Sequence, residues 1–152
     1  MEPLSTEATL DLLINGKVAH IGVIDGEEPY VSPVSYVVID QEFCFRTGPG
    51  RRVDAIRENP IISIESMRTR EDGGWECVVA RGETSEVDDA PKAQSIISAL
   101  LRKYSVEIGS PLSFGARGPM EDTSVIISAR LSDISGRTSG TWFSIPTRPG
   151  RL

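Results

Sequence analysis

Apolar and polar positions alternate along much of this chain with the two-residue period of half-buried strands. Residues 17–25 carry Val18, Ile21, Val23 and Ile24 and close on the turn pair Asp25-Gly26. Residues 30–39 then resume the extended pattern, so the two segments read as a hairpin. Gln41 and Glu42 mark another turn before a strand at 43–47, and further strands are expected at 61–65, 75–87 and 123–134. Helical spacing occurs three times. The first helix takes Ser5 or Thr6 as its cap, places Leu10, Leu13 and Ile14 on one side and ends at Asn15-Gly16. The second covers 51–58 and is stopped by Asn59-Pro60. The third runs from Ala90 to about Tyr104, capped by Asp88-Asp89, with Ile96, Ile97, Leu100 and Leu101 on its apolar side.

Six strands joined largely by hairpins, with three helices and no strict strand–helix alternation, predict a mainly β (α+β) chain. A β-barrel with flanking helices fits this order better than a doubly wound sheet. The 152 residues suit one domain spanning 1–152. Two stretches fall outside the pattern. The Gly/Pro-rich connection 106–122 is long for a compact domain and is expected either to move or to shape a site. The C-terminal tail 137–152 carries Trp142 and Phe143, which need somewhere to pack.

Composition adds limits. With 39% hydrophobic and 25% charged residues a packed core is expected. The net charge of −6 argues against non-specific binding to nucleic acid or an anionic membrane. No apolar run has transmembrane length and the N-terminus has no basic, leader-like start, so a cytoplasmic home is expected. Cys44 and Cys77 fall in predicted strands without metal-like spacing and are expected to be buried thiols in a reducing compartment.

Against that acidic background, Arg46, Arg51 and Arg52 flank the turn Thr47-Gly48-Pro49-Gly50 with no acid among them. A glycine turn opening a helix offers free N–H groups and the positive end of the helix dipole, which suit a phosphate. Guanidinium groups beside it add charge-assisted hydrogen bonds. The bland alternative is a solvated face of a short helix.

Side-chain acid–base machinery is sparse. His20 is the sole histidine and sits within an alternating strand, where a structural role is expected. A single histidine removes most zinc, triad and two-histidine iron readings, and no metal site is expected. No serine lies in a G-x-S-x-G elbow and no carboxylate pair stands out, so no catalytic residue can be named. This sparseness fits a protein whose cofactor supplies the reactivity. The segment Pro29-Tyr30-Val31-Ser32-Pro33-Val34-Ser35-Tyr36 holds two prolines that remove ladder donors, so it cannot be paired on both sides. Its free backbone groups, with Ser35 and Tyr36, suit the edge of a planar heterocycle, or mark an edge strand guarded by proline.

Taken in order, these pieces resemble the FMN-binding split β-barrel family of pyridoxamine 5′-phosphate oxidase-like proteins. The likeness is to its flavin-nucleotide-binding branch, which includes nitroimidazole-resistance proteins. It runs from the helix ending at Gly16 through Val18-Ala19-His20-Ile21-Gly22-Val23, the proline-bearing strand and Phe43 to Pro60. It continues over Trp75-Glu76-Cys77-Val78-Val79-Ala80-Arg81-Gly82 to Ile134-Ser135-Gly136-Arg137. The resemblance implies a six-stranded antiparallel split β-barrel, homodimeric, with two FMN sites at the subunit interface. It implies that Val34, Ser35 and Tyr36 border the flavin ring and that the turn from Thr47 through Gly50 to Arg51 and Arg52 holds the phosphate. Trp75 would approach the flavin from the partner chain. Arg46 stands where nitroimidazole-resistance relatives often carry histidine, and would support negative charge on a reduced flavin. The C-terminal Arg-x-His element of the true oxidases is missing, which counts against vitamin B6 oxidation.

The expected function is an FMN-dependent oxidoreductase passing electrons to a small-molecule substrate, an organic acceptor. Alternatives are the same barrel holding a deazaflavin coenzyme or haem, and a flavin-binding store or sensor without turnover.

Overall fold

Residues 30–39, expected as one strand, break at Ser35, and that break defines the architecture. The computed structural model describes residues 1–108 and 123–140. In order these form β1 (Glu2–Pro3), α1 (Thr6–Asn15), β2 (Ala19–Asp25), β3 (Glu28–Val34), β4 (Tyr36–Ile39) and β5 (Glu42–Thr47). There follow α2 (Arg51–Glu58), β6 (Ile61–Thr69), β7 (Trp75–Glu86), α3 (Ala90–Ile108) and β8 (Val125–Thr138). The connection 106–122 beyond residue 108, and Trp142 and Phe143, lie outside the described residues.

The strands form one antiparallel sheet in the order β3-β2-β6-β7-β8-β5-β4, with β1 added against β8. Its two edge strands, β3 and β4, are consecutive in the chain and separated only by Ser35. Val34 pairs with Ala19 and Tyr36 with Phe45, at opposite edges of the sheet. One residue can bridge two edges only if the sheet curls until they meet, so the fold is a split barrel and Ser35 sits at its slit. The prolines of β3 explain why the slit stays open. Pro29 and Pro33 are four residues apart, so their nitrogens face the same edge, the one not paired with β2.

Among the described residues there are eight strands against the six expected. The break at Ser35 supplies one extra and the two-residue β1 the other. Strand β6 continues to Thr69 through the polar Ser66 to Thr69, and β8 reaches Thr138 although Ser135-Gly136 reads as a turn. A bulge carries β8 past that point. Val79 pairs with Ser135 but Arg81 with Ser132, leaving one extra residue on β8 where Asp133 takes φ 51°.

Inside the barrel, Tyr36 stacks on Phe43 at 4.5 Å between ring centres, amid Phe45, Ile21, Ile62 and Ile127. Leu12 and Leu13 of α1, and Ala55 and Ile56 of α2, join this core. Ser5 caps α1 as expected, its hydroxyl accepting from the Ala8 amide at 3.1 Å. A second core lies outside the barrel wall, where Val37, Cys44 and Ile126 meet Ile96, Leu100 and Tyr104 of α3. The unbroken apolar run Phe43-Cys44-Phe45 has this cause: β5 is covered on both faces. Cys44 is fully buried, and burial pushes its thiol up to about 12. Cys77, expected to be buried too, is only half-buried, because β7 is open to solvent on its outer face there.

Candidate functional site

The barrel wall and α3 do not meet along their whole length. Between them lies a cavity of about 870 Å³, within the range of small-molecule sites. Pro33, Val34 and Ser35 form its slit side, and Arg46, Thr47 and Gly48 its floor. Arg52 enters from α2, Ser124 and Ile126 from the start of β8. The roof is α3, through Ala93, Ile97, Leu100 and Leu101. Leu100 belongs to the second core, whereas Leu101 remains 40% exposed. Helix α3 thus carries a wider apolar stripe than the barrel wall can cover.

The glycine corner supplies the polar end. Gly50 adopts φ 145°, a conformation open to glycine and costly for any residue with a Cβ. It caps α2 without a side-chain hydrogen bond, so among the described residues the first-turn amides of that helix have no side-chain cap. Gly48, by contrast, needs no positive φ, and nothing lies within 4 Å of where its Cβ would stand.

The two adjacent arginines at this corner behave differently. Arg51 is turned away from the cavity. Its guanidinium bonds Asp25 at 2.5 Å and Glu28 at 3.4 Å and lies 4.5 Å from the centre of the Tyr30 ring. The hydrogen bond it donates to Asp25 raises its pKa above the ordinary arginine value. Arg52 faces the cavity and is half-buried. Its Nε donates to Ser32 Oγ at 2.8 Å and its Nη2 to the Pro33 carbonyl at 2.9 Å. Burial draws its pKa down, yet an arginine keeps its proton. Among the described residues no carboxylate pairs with it, so its charge is balanced by neutral acceptors alone. Arg46, also half-buried, donates from Nε to Ser124 Oγ at 2.9 Å.

Of the residues expected at the site, Val34, Ser35, Arg46, Thr47 and Arg52 line this one cavity, and Gly50 shapes its corner. The Tyr36 side chain does not: it points into the barrel, where its hydroxyl donates to the Leu13 carbonyl at 2.6 Å. Trp75 opens β7, opposite Thr69. The cavity residue Ile126 bonds Val87 just past the other end of that strand, about 35 Å away along the chain. Within one chain Trp75 and the cavity are therefore separate. His20 lies on the outer wall, its Nδ1 3.0 Å from Glu65. Sequence reasoning missed Ser124, which carries no signal of its own. It also missed the roof of Ala93, Ile97 and Leu101, whose four-residue spacing is a sign of a second helical face.

The described residues contain no cluster of three or more potential metal ligands and no helix long and apolar enough to cross a membrane.

Comparison with known proteins gives the family. Residues 5–138 match the model of the pyridoxamine 5′-phosphate oxidase family. An uncharacterised protein from Rhizobium meliloti (strain 1021) is 26% identical over 85 residues, covering 55% of this chain. The aligned part spans 56% of that relative's length. Among solved structures, a FAD-binding protein from Mesorhizobium loti superposes with a TM-score of 0.75 at 21% identity, over 91% of this chain and 98% of its own. A candidate 5-nitroimidazole antibiotic resistance protein from Bacteroides thetaiotaomicron gives 0.73 at 14% identity, over 90% and 86%. The FAD and haem binding protein of Mycobacterium smegmatis gives 0.70 at 15%, over 91% and 73%. These likenesses establish the shared split-barrel fold, and the match over residues 5–138 establishes that the chain belongs to the pyridoxamine 5′-phosphate oxidase family.

Proposed function

We propose that this protein is an FMN-dependent oxidoreductase that acts on a small organic acceptor, as a cytoplasmic homodimer with its cofactor sites at the subunit interface. The observation that carries this reading is Arg52. A half-buried guanidinium without a carboxylate partner among the described residues stands beside an uncapped helix N-terminus, at the polar end of a largely apolar cavity. An anionic phosphate answers all three features.

The residues present fit a flavin nucleotide. Arg52 and the α2 amides would hold the phosphate, with Thr47 beside them. Pro33, Val34 and Ser35 offer an edge strand, one side of whose backbone is unpaired in the sheet, to the rim of the ring. The roof of Ile97 and Leu101 offers apolar contact and excludes water. Arg46, fixed by Ser124, places positive charge on the cavity floor, where it would favour an anionic form of the ring. When bound, the flavin supplies one- and two-electron transfer. The chain contributes orientation and charge, since the cavity lining has no histidine, carboxylate or thiol among the described residues to act as acid, base or nucleophile.

The names of several structural neighbours, which include FAD-binding proteins, agree with a flavin rather than with one particular flavin. Haem suits the lining less well. No described residue there offers an imidazole, thiol, thioether or phenol as axial ligand. The reading is tested by the absorbance of the purified full-length protein, with mass spectrometry of what is released on denaturation. A two-banded flavin spectrum and an FMN mass are expected. Colourless protein that fails to take up added FMN would overturn the proposal.

A further inference from the structure

The slit beside Ser35 is crossed by side chains of α3. The Tyr36 amide donates to the Tyr104 hydroxyl at 2.8 Å, and that hydroxyl in turn lies 2.7 Å from the Lys17 carbonyl and 3.0 Å from the Tyr36 carbonyl. Lys103 Nζ donates to the Tyr36 carbonyl at 2.9 Å and to the Ile14 carbonyl, near the end of α1, at 3.2 Å. Its ammonium also sits 4.1 Å from the centre of the Tyr36 ring. Both backbone polar groups of the residue that restarts the sheet are therefore held by one helix. The same helix, one turn earlier, supplies Leu100 and Leu101 to the cavity roof, and the residue before Tyr36 is Ser35 on the cavity's slit side.

We propose that Lys103 and Tyr104 form a clasp across the slit and are positioning residues for the cavity, fixing Ser35 and the roof of α3 at one separation. As a statement about cofactor retention this rests on the flavin reading above. As a statement about the slit it does not. Opening the clasp moves Ser35 and the roof apart together, which is the route by which a ligand held between them leaves.

The clasp is linked to a proton. Lys103 is the group concerned. Among the described residues, the charged or titratable groups facing it are Lys17, whose own Nζ donates to the Lys103 carbonyl at 3.3 Å, and the rings of Tyr36 and Tyr104. No carboxylate pairs with it among the described residues. Burial, and then the Lys17 charge, lower its pKa to about 8. An opened clasp returns the amine to water and to its ordinary basicity, so opening takes up a proton above about pH 8. Opening is then independent of pH below that value and becomes harder as pH rises above it.

The test uses full-length wild type, Tyr104→Phe and Lys103→Met, with two readouts between pH 7 and 10. These are the opening equilibrium from amide exchange at Tyr36 and the release rate of bound FMN. Tyr104→Phe strands the Tyr36 amide, and both exchange and release are expected to rise about tenfold or more. In wild type, opening and release are expected to fall by up to about tenfold per pH unit above about 8. In Lys103→Met that slope disappears. Unchanged Tyr36 exchange in Tyr104→Phe, or the same pH profile in wild type and Lys103→Met, would overturn the clasp. A wild-type protein that takes up no FMN overturns the flavin reading instead, and amide exchange then decides the clasp by itself.

Discussion

Arg51 and Arg52 are adjacent in the chain, yet the first is neutralised by Asp25 at 2.5 Å while the second meets, among the described residues, Ser32 Oγ and the Pro33 carbonyl. A single step along the chain separates a strut from a ligand-ready charge. Arg51 ties the β2–β3 hairpin to α2, and Arg52 faces the cavity.

Replacing each arginine by alanine should separate these roles. Arg52→Ala is expected to weaken FMN binding at least tenfold, because a hydrogen bond to a charged group is worth about 1.5–3 kcal/mol. Arg51→Ala should change it less than about threefold, since its pair with Asp25 is exposed and such pairs contribute about 0–1 kcal/mol. Fluorescence titration of FMN reads both.

The glycines divide similarly. Gly50→Ala forces a Cβ into φ 145° and should cost about 1–2 kcal/mol in urea unfolding, along with weaker FMN retention. Gly48→Ala, with open space and no positive φ, should leave stability within about 0.5 kcal/mol. Gly16→Ala acts on the core instead. Its Cβ would stand 2.5 Å from Tyr36 Oη and 2.6 Å from Ser66 Oγ, which predicts a loss of about 1–3 kcal/mol.

Tyr36→Phe tests the placement of a residue whose neighbours Val34 and Ser35 line the cavity. It removes the 2.6 Å bond to the Leu13 carbonyl inside the barrel. Stability is expected to fall by about 1–2 kcal/mol, with the FMN dissociation constant unchanged within about twofold. A large loss of affinity at unchanged stability would move that side chain into the cavity.

The strands and helices are largely legible in the sequence because their signals are local. Alternation marks β2 and β7, Ser5 marks the start of α1, and Asn59-Pro60 marks the end of α2. What is not legible depends on partners far along the chain. Nothing in Gly50-Arg51-Arg52 says which guanidinium will meet Asp25, because that acid arrives on a hairpin whose position is set by the curl of the sheet. The break at Ser35 leaves the alternation of Val34 and Tyr36 intact, so the pattern shows one strand where the barrel has two edges. The apolar width of α3 reads as core in the sequence. Only the gap between wall and helix shows that, among the described residues, Ile97 is covered in part and Leu101 stays 40% exposed.

Lys103 also predicts a pH effect on stability. Its folded value of about 8 lies below its ordinary 10.5, so between these the unfolded chain holds the extra proton. Stability should therefore rise with pH across that interval, with no contribution to the slope below it, where both states are protonated. Urea midpoints of wild type minus those of Lys103→Met, taken at several pH values, isolate the effect from other titrating groups. A difference that falls with pH would reverse the assignment.

The account turns on a phosphate held at the Gly50 corner by Arg52, and riboflavin is FMN without that phosphate. The most direct measurement is the ratio of their dissociation constants for the wild-type protein and for Arg52→Ala. FMN is expected to bind at least about a hundredfold more tightly than riboflavin to wild type, with most of that preference gone in the variant. Equal affinities in wild type, or a preference that survives the loss of Arg52, would contradict it.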